Sequence, residues 1–267
     1  MTFELLISTM HKKNVQEIHT MLFKMNVKCN CVVINQCDEE NVYTEKNGSQ
    51  TILIIFTKER GLSKSRNMAL RNATADIVCI ADDDLFYYDN FDKTIESYYD
   101  KNKNADVVMF GIDSYRKQTE TKEHKCNFLK LGTYISFQIS FKRSNLVNKN
   151  ISFNESFGTG SKVYDSGEEN IFLADCFRAG LKLYFYPKKI LKHEKSESTW
   201  FTGYNEKFIS DRGAIYQAVY HKLSVLYIIR FAIKRRKLYN PITIKEALTL
   251  MLNESKSYKQ KINSSLR

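Results

Sequence analysis

Residues 73–91 read ATADIVCIADDDLFYYDNF, an apolar run that stops at three consecutive aspartates. The segment DIVCIA has the length and β-branched content of a strand buried on both faces. Strand ends reach the surface, and an acidic loop there needs no function. Three adjacent like charges nevertheless repel one another, and a cation bound between them relieves the repulsion. Mg²⁺ and Mn²⁺ take oxygen ligands, commonly one or two carboxylates completed by substrate phosphates. Whether Asp82, Asp83 and Asp84 do this depends on where the rest of the chain puts them.

Outward from this run, apolar stretches alternate with helical ones. FELLIST (3–9) reads as a strand. HKKNVQEIHTMLFKM (11–25) follows with Val15, Ile18, Leu22 and Met25 at helical spacing. VKCNCVVINQ (27–36) and TILIIFT (51–57) are strands joined through a polar, hairpin-like stretch. SKSRNMALRNAT (63–74) reads as a helix with Ser63 as N-cap. After the aspartates come a helix over 88–102 and a strand over 105–113. This order predicts an α/β fold with a mainly parallel sheet flanked by helices. Such sheets bind ligands outside the carboxyl ends of their strands, where Ser8, Thr9, Gln36, Thr57 and Asp82–Asp84 all fall. In the second half, 133–146 reads as a strand turning into a helix. Residues 153–187 carry a loop with Gly158 and Gly160, an acidic pair, a helix stopped by Gly180, and a strand.

Composition sets bounds on function. The 267 residues carry 43% hydrophobic side chains, only 10 Gly and 2 Pro, and a formal net charge of +11. That describes a globular chain, not a turn-rich all-β one, with an affinity for polyanions of some kind. The six cysteines lack metal-site spacing and read as small buried hydrophobes in a reducing compartment. No leader pattern opens the chain, and no apolar stretch is long enough to span a bilayer. The expected location is cytoplasmic, free or at the inner face of the cell membrane.

Three stretches together resemble the family 2 glycosyltransferases, which have the nucleotide-binding GT-A fold. They are ERGLSKSRNMALRNATADIVCIADDDL (59–85), FGTGSKVYDSGEENIFLADCFRAGLKLYFYP (157–187) and LKHEKSES (191–198). The resemblance covers roughly residues 1–200, as a nucleotide-binding half (1–110) and an acceptor-side half (111–200), leaving 201–267 as a basic helical C-terminal extension. It implies transfer of a sugar from a nucleotide diphosphate sugar, UDP being favoured, with inversion at the anomeric carbon. The acceptor would be a saccharide or a lipid-linked saccharide in surface or capsular polysaccharide synthesis.

The resemblance also implies roles. Asp82 and Asp84 would hold Mn²⁺ or Mg²⁺ against the diphosphate, with Asp83 able to lead the motif in the alternative register and His193 adding a ligand. Glu169 stands where the family has a catalytic Asp, next to Glu168, and would take the acceptor proton. Arg66 could pair with phosphate or with a carboxylate. Gly61 would form a turn near the nucleotide, and Thr9 and Gln36 would reach base or ribose. Each has a plainer reading. His193 is flanked by charged residues, Glu168 and Glu169 suit any helix N-terminus, and Thr9 and Gln36 could simply cap strand ends. Trp200 could stack on a sugar, while most of the other aromatics are core.

Other classes fit less well. An Asp-x-Asp phosphatase wants Thr or Val where Phe86 stands, and a sugar nucleotidyltransferase wants a Gly-rich loop after LLIST. A GT-A-like module binding carbohydrate or a polyanion without catalysis is the remaining alternative, and the set of acidic site residues argues against it; the +11 charge keeps nucleic acid open, but it is not the expected partner. The C-terminal helices have two readings, docking on anionic lipid or packing with a solvated basic end. Oligomeric state is not legible.

Overall fold

The computed structural model describes residues 1–114, 120–193 and 203–265. Its first half follows the expected alternation: β1 (Phe3–Met10), α1 (Val15–Lys24), β2 (Cys31–Gln36), β3 (Asn41–Asn47), β4 (Gln50–Thr57), α2 (Leu62–Asn72), β5 (Ile77–Asp82), a short β6 (Phe86–Tyr87), α3 (Phe91–Lys101) and β7 (Val107–Ser114). The second half adds a short β8 (His124–Lys125), β9 (Ile139–Lys142), α4 (Arg143–Asn148), α5 (Glu168–Arg178), β10 (Leu183–His193), α6 (Glu206–Tyr220), α7 (Ser224–Lys234) and α8 (Ile244–Ser265).

The strands form one sheet in the order β3-β4-β2-β1-β5-β9-β7-β10-β6, with β8 also on β10. The pairs β2/β4, β1/β2, β1/β5 and β7/β10 are parallel, so six long strands run the same way. β3 and β9 run against them. Alternating side chains feed two cores. Leu5, Ile7, Val33, Ile54 and Cys79 pack with α1 and α3, whereas Leu6, Val32, Ile34, Ile55 and Ile80 pack with α2 and α5. Burial on both faces is why these strands read as unbroken apolar runs. All six cysteines are buried thiols.

Three local details differ from the sequence reading. The polar stretch before β4 is itself an exposed strand, β3, closed onto β4 at Gly48. Residues 133–138 turn as short 3₁₀ segments before β9 begins. There Gln138 accepts from the Ile135 amide and donates to the Phe110 carbonyl, which bends the chain. Ser63 is not the N-cap of α2. Gly61 holds that place at φ +119°, and Ser63 lies in the first turn, its hydroxyl donating to the Phe157 carbonyl at 2.6 Å.

The C-terminal helices share two cores. Ile215, Ala214 and Ala218 of α6 meet Ile171 and Ala174 of α5 together with Phe157, Tyr164 and Tyr258. Ile209, Ile228, Ala232, Tyr239, Ala247 and Met251 join α6, α7 and α8 to one another. The expected division at residue 200 falls among residues outside those described.

The crossing of α6 and α8 is close enough to exclude a side chain. A Cβ added at Gly213 would stand 2.0 Å from the Met251 carbonyl oxygen, and backbone cannot yield as a flexible side chain does. Gly213→Ala is expected to cost about 1–3 kcal/mol by overpacking, read as a lower urea midpoint with an unchanged slope.

Candidate active site

The paired registers place Ser8 opposite Asp82, Met10 opposite Gln36, and Gln36 opposite Thr57. The expected residues therefore line one carboxyl-end edge, on either side of β1, where the chain order reverses. Around this edge the side chains sort themselves by partner.

Arg66 is the centre. It projects from α2 with its side chain 2% exposed, and its two terminal nitrogens go different ways. Nη2 donates to Asp82 Oδ1 at 3.1 Å and Nη1 to Glu168 Oε1 at 3.0 Å. One guanidinium thus ties the end of β5 to the start of α5. Burial works against this cation, but the carboxylates of Asp82 and Glu168 outweigh it, so its pKa lies above the ordinary guanidinium value. Of the two roles open to Arg66 in the sequence, the structure gives it carboxylates. The Asp82 carboxyl, a third of its surface still open, is raised by the protein packed around it, with Arg66 pulling it partway back.

The other aspartates point elsewhere. Asp83 accepts from the Thr9 hydroxyl at 2.5 Å and pairs with Lys12 at 3.2 Å. Asp84 faces His193, with 3.6 Å between Oδ2 and Nε2. His193 ends β10 and lies against the Phe137 ring, so its side chain is largely enclosed, not a surface histidine in a charged turn. Gln36 is 6% exposed, and its amide is taken at both ends by Gly61, whose N–H it accepts at 2.8 Å and whose carbonyl it bonds at 3.3 Å. Thr9 and Gln36 hold protein groups in this structure, as their strand-end reading expects. Trp200 and residues 194–198 of the third motif lie outside the described residues.

Glu168 and Glu169 open α5 after Gly167, which has φ +96°. Glu168 is fixed by Arg66, while Glu169 has no ion-pair partner among the described residues. Burial first, then the charge of Glu168 beside it, pushes the Glu169 carboxyl up to about 8. The pair combines a carboxylate locked in place with a carboxyl that holds its proton near neutrality.

Most of the contacts that mount this apparatus are not legible in the local sequence. Asn67 accepts from the Phe153 amide at 2.8 Å and donates to the Phe153 carbonyl at 2.9 Å, clamping the start of the 153–167 segment to α2. Ser65 donates to Ser8 at 2.8 Å, and Leu62 N–H bonds the Thr159 carbonyl. Gly158 lies over the Glu168 carboxylate, where a Cβ would come within 3.2 Å. From the other side, Tyr164 donates to Glu254 of α8 at 2.7 Å and the Asp165 amide to Asp211 of α6 at 3.1 Å. Nothing in the local pattern marks Glu254 or Asp211, which lie far along the chain. Asp113, which accepts from Tyr88 and pairs with Lys189, ends β7 and was within reach of the strand-end rule.

Among the described residues no three His, Cys, Asp or Glu side chains converge into a self-sufficient metal cage. Asp84 and His193 nevertheless supply an oxygen and a nitrogen donor a short distance apart at the open edge. That set fits a divalent cation whose remaining ligands come from a diphosphate.

Residues 28–166 match the family model described as Glycosyl transferase family 2. Among solved structures, Staphylococcus aureus TarS 1–349 in complex with UDP-GlcNAc is similar, with a TM-score of 0.61 and 14% identity over 98% of this chain and 92% of that one. The same fragment in complex with UDP gives 0.59 and 12% over 99% and 92%. S. aureus TarS in a longer form gives 0.61 and 14% over 90% of this chain and 44% of that one. These likenesses establish the fold. No curated protein matches this chain in sequence.

Two outcomes follow from the charges. Arg66→Met leaves the Asp82 and Glu168 carboxylates unpaired, and denaturant unfolding should show a loss of about 3–5 kcal/mol, partly recovered when Glu168→Gln is added. The second concerns Glu169, which in the folded chain holds its proton up to about 8, whereas its ordinary value is 4.5. The folded state then binds more protons between these values, so stability falls as pH rises through that window. Melts of Glu169→Gln from acid to mildly basic pH should lack this part of the decline.

Proposed function

The chain belongs to glycosyl transferase family 2, and on that premise we propose a metal-dependent, inverting enzyme that moves a sugar from a UDP-sugar to a hydroxyl of a saccharide or lipid-linked acceptor. Surface or capsular polysaccharide is the proposed product. The observation that carries this reading is the Arg66 bridge, which fixes Glu168 and Asp82 and leaves Glu169 as a protonatable neighbour at the start of α5.

Inverting transfer is a single displacement, so a base must take the acceptor proton as the oxygen attacks the anomeric carbon and the nucleotide diphosphate departs. Glu169 is that base, with Glu168 held by Arg66 and unable to swing into its place. The raised pKa makes it a strong enough proton acceptor for a sugar hydroxyl once deprotonated. Asp84 and His193 would hold Mn²⁺ or Mg²⁺. Such an ion neutralises charge on the departing diphosphate. Asp82, already engaged by Arg66, shapes the edge and keeps one oxygen available beyond that bond. The segment around Gly158 and Gly160, docked on α2 and within contact of Gly61, closes the space between nucleotide and acceptor sides. The UDP-GlcNAc and UDP complexes of TarS support a UDP-sugar as donor.

Calorimetric titration of UDP with Mn²⁺, then with EDTA, tests the donor side. Binding should require the metal and disappear in Asp84→Ala. Metal-independent binding that survives Asp84→Ala would sink the assigned ion site. On the acceptor side, Glu169→Gln should retain UDP binding and lower turnover by roughly 10²–10⁴-fold. The kcat/KM of the native enzyme should rise with pH through about 8, the range to which Glu169 is pushed. A turnover that rises instead through the ordinary carboxylate range would remove Glu169 from the role.

A further inference from the structure

Sixteen large apolar side chains are exposed among the described residues, and six of them crowd into residues 223–238: Leu223, Val225, Leu226, Ile229, Ile233 and Leu238. The others are mostly scattered singly, which is ordinary for a soluble surface. The crowding has a geometric basis in α7. Ser224, Ile228 and Ala232 recur at i, i+4 and i+8 and are buried, anchoring one face to α6 and α8. At 100° per residue, Val225, Ile229, Ile233 and Leu226 form a second apolar arc that runs on from the edge of that anchor. Among the described residues all four of these side chains remain exposed.

Charge surrounds the same arc. From 212 to 245 the chain contains eight Lys and Arg and not one Asp or Glu. Arg230 and Lys234 border the arc on α7, and Lys222, Arg235, Arg236 and Lys237 lie at its two ends, all exposed. No helix among the described residues is long and apolar enough to cross a membrane. An apolar arc rimmed by cations on a short helix instead has the chemistry of one lying in the plane of a lipid surface.

We infer that α7 is a docking face for an anionic lipid bilayer, with Leu226, Ile229 and Ile233 entering the headgroup region and Arg230, Lys234 and the 235–237 cluster meeting anionic headgroups. Two other occupants match the surface less well. A two-fold contact with a second copy would press the same acid-free, cationic patch against itself. A nucleic acid would satisfy the cations and leave the apolar arc without a partner. Docking at α7 requires no particular acceptor, so vesicle binding is read separately from sugar transfer.

The test is co-sedimentation of the full chain with vesicles of phosphatidylcholine alone and of phosphatidylcholine with phosphatidylglycerol. The protein should pellet with the anionic vesicles, remain in solution with the neutral ones, and be released by salt. Arg230→Gln with Lys234→Gln should weaken partitioning by roughly fivefold for each cation removed. Leu226→Gln with Ile233→Gln should also release the protein, and both pairs should leave UDP binding and the melting temperature unchanged because the positions are exposed. The inference is overturned if the unaltered chain ignores anionic vesicles, or if the apolar pair binds them as well as the unaltered chain does. It is equally overturned if sedimentation velocity shows a dimer that Leu226→Gln with Ile233→Gln dissociates, since the face then belongs to a second copy.

Discussion

A single buried guanidinium holds the site together. Arg66 reaches Asp82 with one nitrogen and Glu168 with the other, and those two carboxylates come from different halves of the chain. A buried cation is tolerable only when paired and hydrogen-bonded, and burying either carboxylate without it would be equally unfavourable. The pairing therefore fixes the end of β5 relative to the start of α5 to within hydrogen-bond tolerance. The groups at the end of β5 and those at the start of α5 acquire a common frame from it.

The remaining polar residues at this edge serve that frame. Gln36 holds Gly61 in the turn that starts α2, and Gly61 in turn lies against Gly160. Asn67, the residue after Arg66 on the same helix, grips the backbone at Phe153. These are hydrogen bonds between a side chain and backbone, the kind that fixes an irregular segment without a regular ladder to support it. The segment 153–167 is thereby held from α2 on one side and from α6 and α8 on the other. The C-terminal helices thus contribute to the position of the site, and α7, which they carry, presents its outer face to the surroundings.

A division of labour among carboxylates emerges from this arrangement. Asp82 and Glu168 are structural partners of Arg66, Asp83 is engaged by Thr9 and Lys12, and Asp84 looks toward His193. Glu169 is left with a raised pKa, first because it is buried and then because the carboxylate of Glu168 stands beside it, with Arg66 pulling it only partway back. Residues adjacent in sequence take different roles because each successive side chain at a strand end or helix start points in a different direction.

The sequence alone determined the parallel core of the sheet, the carboxyl-end edge at which the candidate residues gather and their types. Apolar periodicity is a local signal, and burial on both faces imposes it on every central strand. It also exposed the cationic, acid-free stretch around α7. It was silent on β9 running antiparallel between β5 and β7, because no helix connects it in the pattern that announces a parallel strand. Only the tertiary structure decided which aspartate meets which partner, that Gln36 and Thr9 turn inward, and that Gly61 rather than Ser63 heads α2. The physical reason is the same in each case. Ser63 and Phe157, Arg66 and Glu168, and Asn67 and Phe153 are 94, 102 and 86 residues apart, and such hydrogen bonds are fixed by how layers pack, which local spacing does not encode.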